Sequence, residues 1–195
     1  MNCILTGVGG QGTVLASKLI ANAAMGIGLQ ARTAETIGMA QRGGSVVSHV
    51  RIGEEIHSPM IPMHTADLII GFEPSEAVRT LPYLKKDGMM IVSGTAVKPV
   101  TSSLSGDDYD GLEMLAYLKD HVSRLEIVDT DRIGRVCGTR KVINAALLGA
   151  AAAAGAWELT LEDLENAVRR TLPEKYIQLN LTALAEGAGA VEGCR

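Results

Sequence analysis

The feature that most constrains this chain is a bend crowded with glycine, set between an apolar strand and a helix. Asn2–Thr13 reads NCILTGVGGQGT, with a short apolar run at Cys3, Ile4 and Leu5 and glycines at Gly7, Gly9, Gly10 and Gly12. A periodic segment follows through Val14, Leu15, Lys18, Leu19, Ala21, Asn22 and Met25. Strand, glycine bend and helix in that order leave backbone N–H groups unpaired at a helix N-terminus, where the macrodipole is positive. Glycine permits positive φ and lets an anion approach without meeting a Cβ. Gly7-Val8-Gly9-Gly10-Gln11-Gly12 matches G-x-G-x-x-G in its proper context. The stretch therefore reads as a site for a phosphate- or diphosphate-bearing group. Gln11 offers a side-chain amide to that group, and Thr13 offers a helix cap or a hydroxyl. The alternative is a structural bend that lets helix and strand pack closely.

The rest of the chain alternates strands and helices. Helix one is expected at Gln11–Met25, closed by Gly26-Ile27-Gly28. A second strand fits Leu29–Ala34, followed by a short segment, Thr36–Arg42. Ser45–Ile52 alternates Val46, Ser48, Val50, Ile52 against Val47, His49, Arg51; with the tight turn Gly53-Glu54 and Glu55–His57 pairing back it reads as a hairpin. Ala66–Phe72 and Gly88–Ser93 are continuous apolar runs, the mark of strands buried on both faces. Pro74 opens a helix to Tyr83, Thr95–Asp107 is loop-like, and Asp108–His121 is a helix turning Leu112, Leu115, Ala116 and Leu118 inward. Leu125–Thr130 is the last obvious strand. Helices follow at Arg140–Ala154, Leu161–Thr171 with Thr160 as cap, and Glu174–Glu186, and the tail from Gly187 is expected to fray. The fold class is α/β: a three-layer α/β/α domain with a mostly parallel, Rossmann-like sheet and a β-hairpin, spanning residues 1–195 as one domain. Ligands on such sheets bind beyond the carboxyl ends of the strands.

Composition narrows the function. A net charge of −4 disfavours nucleic acid as the main partner. There is no apolar run of about 18 residues, so no membrane span is expected. The sequence opens directly on a strand with no basic region, so no signal peptide is expected. Cys3, Cys137 and Cys194 are odd in number and widely spaced, forming neither a disulfide framework nor an iron–sulfur or zinc set; free thiols in a cytoplasmic protein are expected.

A second unusual stretch is Gln41-Arg42-Gly43-Gly44-Ser45, where a guanidinium beside two glycines suits phosphate or carboxylate. Glu35 stands where a dinucleotide-binding domain places its ribose acid. Arg51 faces solvent or pairs with Glu55, and His49 reads as structural. His57 and His64 have no evident third ligand, and Asp107, Asp108 and Asp110 read as helix N-terminal acids. The chain thus offers binding geometry without a catalytic set of its own, and no bound metal is expected.

The motifs GVGGQG (Gly7–Gly12), QRGG (Gln41–Gly44), Val50-Arg51-Ile52, IHSP (Ile56–Pro59), Ala66-Asp67-Leu68, NAALLG (Asn144–Gly149), and Asn180, Ala183 and Gly187 within Lys175–Gly187 occur in order. Together they resemble the gamma domain of 2-oxoacid:ferredoxin oxidoreductases, with the best match to the small (beta) subunit of the indolepyruvate enzymes. The resemblance implies oxidative decarboxylation of a 2-oxoacid to an acyl-CoA, with electrons passing to ferredoxin. It implies thiamine diphosphate and 4Fe-4S clusters on a large alpha subunit, no tightly bound cofactor on this chain, and coenzyme A as co-substrate. It carries Gly9, Gly10, Gln11, Gly12, Arg42, Gly43 and Gly44 over as a site for coenzyme A phosphates, with Gly7 and Thr13 completing the bend. The expected assembly is a hetero-oligomer, or a homodimer when the chain is isolated. Two other readings stand beside it. One is a free-standing NAD(P)-dependent dehydrogenase domain using Glu35. The other is a dimerising scaffold whose alanine-rich helix Val142–Ala156 buries a neighbour.

Overall fold

The computed structural model describes residues 1–35, 43–97 and 109–192. A six-stranded sheet has the order β2-β3-β1-β4-β5-β6. Its strands are β1 (Asn2–Val8), β2 (Gln30–Glu35), β3 (Ser45–Gly53), β4 (Ala66–Gly71), β5 (Leu84–Ser93) and β6 (Arg124–Val128). β1, β4, β5 and β6 pair in parallel, while β3 runs antiparallel to both β1 and β2.

Strand alternation explains the three layers. Leu68 and Ile70 of β4, with Met89 and Ile91 of β5, enter one apolar cluster. Ile69, Met90 and Val92 enter the other. Both faces are covered, so these strands are apolar throughout. The larger cluster lies under α1 (Thr13–Gly26), α4 (Thr130–Val136), α5 (Ile143–Ala153), α6 (Leu161–Thr171) and α7 (Glu174–Glu192). The smaller lies under α2 (Pro74–Thr80) and α3 (Leu112–His121).

Helix α1 buries Ala16, Leu19, Ile20, Ala23 and Ala24, the i, i+3, i+4 spacing of one apolar stripe. This corrects the expected face: Met25 is 55 % exposed. The helix closes as expected, with Gly28 at φ 86 and the Leu29 N–H returning to the Ala24 carbonyl at 3.0 Å. Its start differs, since Gln11 lies outside the helix and Gly12 is the cap.

The antiparallel hairpin is β2–β3, not β3 with Glu55–His57. Both edges of β3 are already paired, from Asn2↔Arg51 to Val8↔Ser45 with β1 and from Gln30↔Gly53 to Glu35↔Ser48 with β2. No edge remains for residues 55–57 to join. That segment instead turns under the sheet, burying Ile56 and Ile61, and the Ile61 N–H donates to His49 Nδ1 at 3.2 Å. Arg51 binds neither solvent alone nor Glu55: its Nε donates to Asn2 Oδ1 and its Nη1 to the Ser58 carbonyl, each at 2.9 Å.

Three more expectations change. In α3, Leu115 and Leu118 are buried but Leu112 is 64 % exposed. Helix α4 is not among the expected elements; its cap is Asp129, accepting from the Arg132 N–H at 2.9 Å. The chain from Gly187 does not fray before residue 192; α7 continues because Gly187 and Gly149 let α5 and α7 cross in near contact. A Cβ at Gly187 would stand 1.8 Å from the Ala146 carbonyl oxygen, and one at Gly149 2.0 Å from that of Leu184. The alanine-rich helix buries Ala145, Ala146, Ala150 and Ala151 inside its own chain. The scaffold reading therefore loses the exposed face it needed.

Candidate functional site

The parallel strands end together at one edge of the sheet, and the glycine bend lies there. β3 is antiparallel, so its beginning, not its end, meets the carboxyl end of β1. This brings the two glycine motifs together: the Gly9 N–H donates to the Gly44 carbonyl at 2.8 Å. Gly10, Gly12 and Gly43 have φ of 102, 83 and 90°, conformations that favour glycine. Thr6 and Gly7 precede the bend on β1, and a Cβ on Gly7 would fall 2.7 Å from Gln11 Oε1 and 2.9 Å from Phe72 Cβ. Gly12 caps α1 with no side chain bonded to the first turn. The first-turn N–H groups thus have no capping side chain to bind. Thr13 is buried in the first turn. Arg42 lies outside the described residues, as do residues 36–41 and 98–108.

Gln11 has a different task from the one expected. Its Oε1 accepts the Val8 N–H at 2.7 Å and its Nε2 donates to the Phe72 carbonyl at 2.9 Å. The amide is a clasp between the ends of β1 and β4, and it forms part of the site's wall. Asn144, from the NAALLG motif, sits behind Gly12, donating to its carbonyl at 3.4 Å.

A cavity of about 210 Å³ opens in front of the bend. Gly10, Gln11 and Phe72 form one side, Ser93 and Thr95 another, and Arg140 and Lys141 a third. The hydroxyls form a chain from the ends of β5 and β6: Ser93 Oγ and Thr130 Oγ1 are 2.7 Å apart, and Thr130 donates to Thr95 at 2.8 Å. The 3₁₀ turn Arg140–Val142 holds the two cations just before α5. Both residues are expected from the sequence to open a helix, with no role in a site. A signal was present, since cations at a helix N-terminus oppose the macrodipole and so call for another reason to be there.

Two buried acids on α2 were also missed. Glu73 is fully buried and caps α2 by accepting from the N–H groups of Ser75 and Glu76. It also accepts from Tyr109 Oη at 2.6 Å. Burial and then the Glu73 bond push the Tyr109 phenol up to about 12. Glu76 accepts from Ser45 Oγ at 2.5 Å and faces Arg79 Nε at 3.3 Å. Ser45 follows Gly44, so Glu76 anchors the segment that meets the glycine bend.

Glu35 is not placed for a ribose. It accepts from Ser17 Oγ of α1 at 2.7 Å. With β3 inserted between β1 and β2, its strand lies about 10 Å from β1, not the 5 Å of a neighbouring strand. His57 faces Glu55 at 3.4 Å on the surface, and His64 is a loop residue at φ 62. Asp110 accepts from the Leu112 N–H at the start of α3, the helix-terminal role expected, while Asp107 and Asp108 lie outside the described residues. Cys3 is fully buried in β1, where burial and then Asp67 push its thiol well above the usual range. Burial and Glu186 also raise Cys137. Neither thiol has the lowered pKa of a ready metal ligand or nucleophile. Among the described residues no three His, Cys, Asp or Glu side chains gather as a metal set, and no helix is long and apolar enough to cross a membrane.

The sequence model of the pyruvate ferredoxin/flavodoxin oxidoreductase family matches residues 2–190. The chain is 37 % identical over 188 residues to the indolepyruvate oxidoreductase subunit IorB of Archaeoglobus fulgidus, covering 96 % of this chain and 93 % of that one. It is 33 % identical over 193 residues to IorB of Thermococcus kodakarensis, covering 98 % and 96 %. The gamma subunit of a keto/oxoacid ferredoxin oxidoreductase from Geobacter sulfurreducens shares the fold, with a TM-score of 0.71, 23 % identity and 98 % of each chain covered. So does part of a 2-oxoglutarate:ferredoxin oxidoreductase from Magnetococcus marinus, solved with 2-oxoglutarate, coenzyme A and succinyl-CoA, with a TM-score of 0.72, 16 % identity and 99 % of this chain on 31 % of that one. The chain is therefore a small-subunit member of the pyruvate ferredoxin/flavodoxin oxidoreductase family.

Proposed function

We propose that this chain is the small subunit of an indolepyruvate ferredoxin oxidoreductase, working in the cytoplasm with a large alpha subunit. The observation that carries the reading is its likeness to the IorB subunits over nearly the whole of both chains. The reaction is the coenzyme A-dependent oxidative decarboxylation of an aryl 2-oxoacid to its acyl-CoA, with the electrons leaving to ferredoxin.

Thiamine diphosphate, which stabilises the carbanion left by decarboxylation, and the 4Fe-4S clusters are assigned to the large subunit. The buried, high-pKa Cys3 and the raised Cys137 do not fit cluster ligation. This chain's part is to hold coenzyme A. The bend from Gly7 through Thr13, with Gly43 and Gly44 against it and Arg42 preceding them, is assigned to the phosphates. Support comes from the uncapped first turn of α1 and the cations beside the same cavity. Gln11 contributes by keeping the bend in shape, and Glu76 by anchoring Ser45.

The test is reconstitution. Ferredoxin reduction driven by indolepyruvate and coenzyme A is expected only when this chain and the large subunit are mixed. Full activity of either polypeptide alone would overturn the assignment. A better kcat/KM for pyruvate or 2-oxoglutarate than for indolepyruvate would overturn the substrate.

A further inference from the structure

We infer that the Arg140–Lys141 turn completes a site for a phosphate or diphosphate group at the mouth of the glycine bend, with Lys141 as the cation that meets it. The inference rests on the reading that this edge holds an anionic ligand, and it adds which residue supplies the charge and how much of the ligand the chain takes.

The two cations are not equivalent. Arg140 pairs with Asp131. Its stem passes so close to Gly134 that a Cβ there would stand 3.2 Å from Arg140 Cγ. Arg140 and Asp131 together are neutral and held in place. Lys141 makes no ion pair among the described residues. Its backbone is fixed by the Thr139 hydroxyl, which accepts the Lys141 N–H at 3.2 Å. Among the described residues the cavity wall contains no acid, in a chain whose net charge is −4. Lys141 is therefore an uncompensated charge among the described residues of this edge.

The opposite wall suits the same group. Among the described residues nothing lies within 4 Å of where a Cβ on Gly10 would be, so the backbone there is open to a close approach. The Thr95 hydroxyl, which accepts from Thr130 Oγ1 at 2.8 Å, keeps its own proton to donate. Phe72, Val97 and Ile143 supply an apolar remainder, which fits a phosphate carried on an organic body. At about 210 Å³ the cavity is smaller than the roughly 300–1,000 Å³ that encloses a whole cofactor-sized ligand. This chain takes one end of the ligand and leaves the rest to the neighbouring subunit.

The test is a titration of the ¹⁵N-labelled full chain with pyrophosphate at constant ionic strength, followed by amide chemical shifts. Saturable shifts at Gly10, Thr95 and Lys141 are expected. Lys141→Ala should weaken binding about fivefold or more, Lys141→Arg should hold it within about twofold, and Asp131→Asn should tighten it by freeing Arg140. Lys119→Ala, on α3, serves as the control and should change nothing. Each variant's spectrum reports its own folding. Absent or non-saturating shifts at those amides, or equal binding by Lys141→Ala, would overturn the site. If pyrophosphate binds as described but the reconstituted enzyme ignores indolepyruvate, the proposed function fails and the site stands. Turnover without pyrophosphate binding defeats the site alone.

Discussion

Gln11 offers the sharpest separation of structure from ligand binding. Its amide satisfies two backbone groups, the Val8 N–H at 2.7 Å and the Phe72 carbonyl at 2.9 Å. Val8 is 9 % and Phe72 1 % exposed. Gln11→Ala removes both bonds and leaves a donor and an acceptor without partners. Each such group costs about 1–3 kcal/mol when water cannot reach it. The adjacent cavity admits water to part of the gap, so the lower half of that range applies, and the sum is about 2–4 kcal/mol. For a chain of 195 residues that is a fall in Tm of roughly 5–15 °C. Urea denaturation of the chain without any ligand measures it. Gly7→Ala should behave similarly, because its Cβ would fall on the same Oε1 and on Phe72. The two changes should be far from additive, since both break one clasp. A Gln11→Ala chain as stable as the parent would refute the clasp and return Gln11 to the role of a free ligand contact.

The helix crossing, a buried histidine and a surface ion pair give three further expectations. Gly187→Ala gains up to about 1 kcal/mol of helix propensity, yet its Cβ would meet the Ala146 carbonyl; a net loss of about 1–3 kcal/mol is expected, while Gly189→Ala, with nothing within 4 Å among the described residues, should be neutral or stabilising in the same melt. His49 accepts the Ile61 N–H, and burial lowers its pKa below the ordinary 6.5. The folded state thus resists a proton that the unfolded chain takes, so stability should begin to fall as pH drops below about 6.5 and level off below the folded pKa. His49→Gln should flatten that part of the pH profile, and an unchanged slope would contradict it. Burial alone would raise Asp67, but the Lys85 ammonium at 2.5 Å and the Asn2 N–H at 2.6 Å hold it below its ordinary 3.8. Its contribution is complete above that pH and disappears as pH falls through the lowered value, so Asp67→Asn should lose about 1 kcal/mol at pH 7 and match the parent near pH 2, by denaturant midpoint.

Local chemistry made much of this fold readable. The apolar runs of β4 and β5 declare two-sided burial, and four glycines between β1 and α1 declare a bend. What periodicity does not carry is the choice of partner. Residues 45–52 alternate as a half-buried strand should, but nothing in them says that both edges are taken by β1 and β2. That choice also moved Glu35 one strand outward and brought Gly44 against Gly9. Gly187 looked like a helix end, because close helix packing and helix termination both favour a missing side chain. Arg140 and Lys141 read only as the start of a helix, because nothing local says that the chain crosses so as to place residue 140 on the same cavity as residue 10. Glu73 was unremarked for a related reason: one residue before a proline it is a natural cap, and only the fold shows Tyr109 closing over it.

The most direct test of the account is a structure of the assembly of this chain and its large subunit with coenzyme A bound. A coenzyme A phosphate group is expected in the cavity, within hydrogen-bonding distance of the Gly10 backbone and the Lys141 ammonium, with the thiol end directed into the other subunit. A cavity filled by a partner side chain, with coenzyme A bound elsewhere, would contradict it.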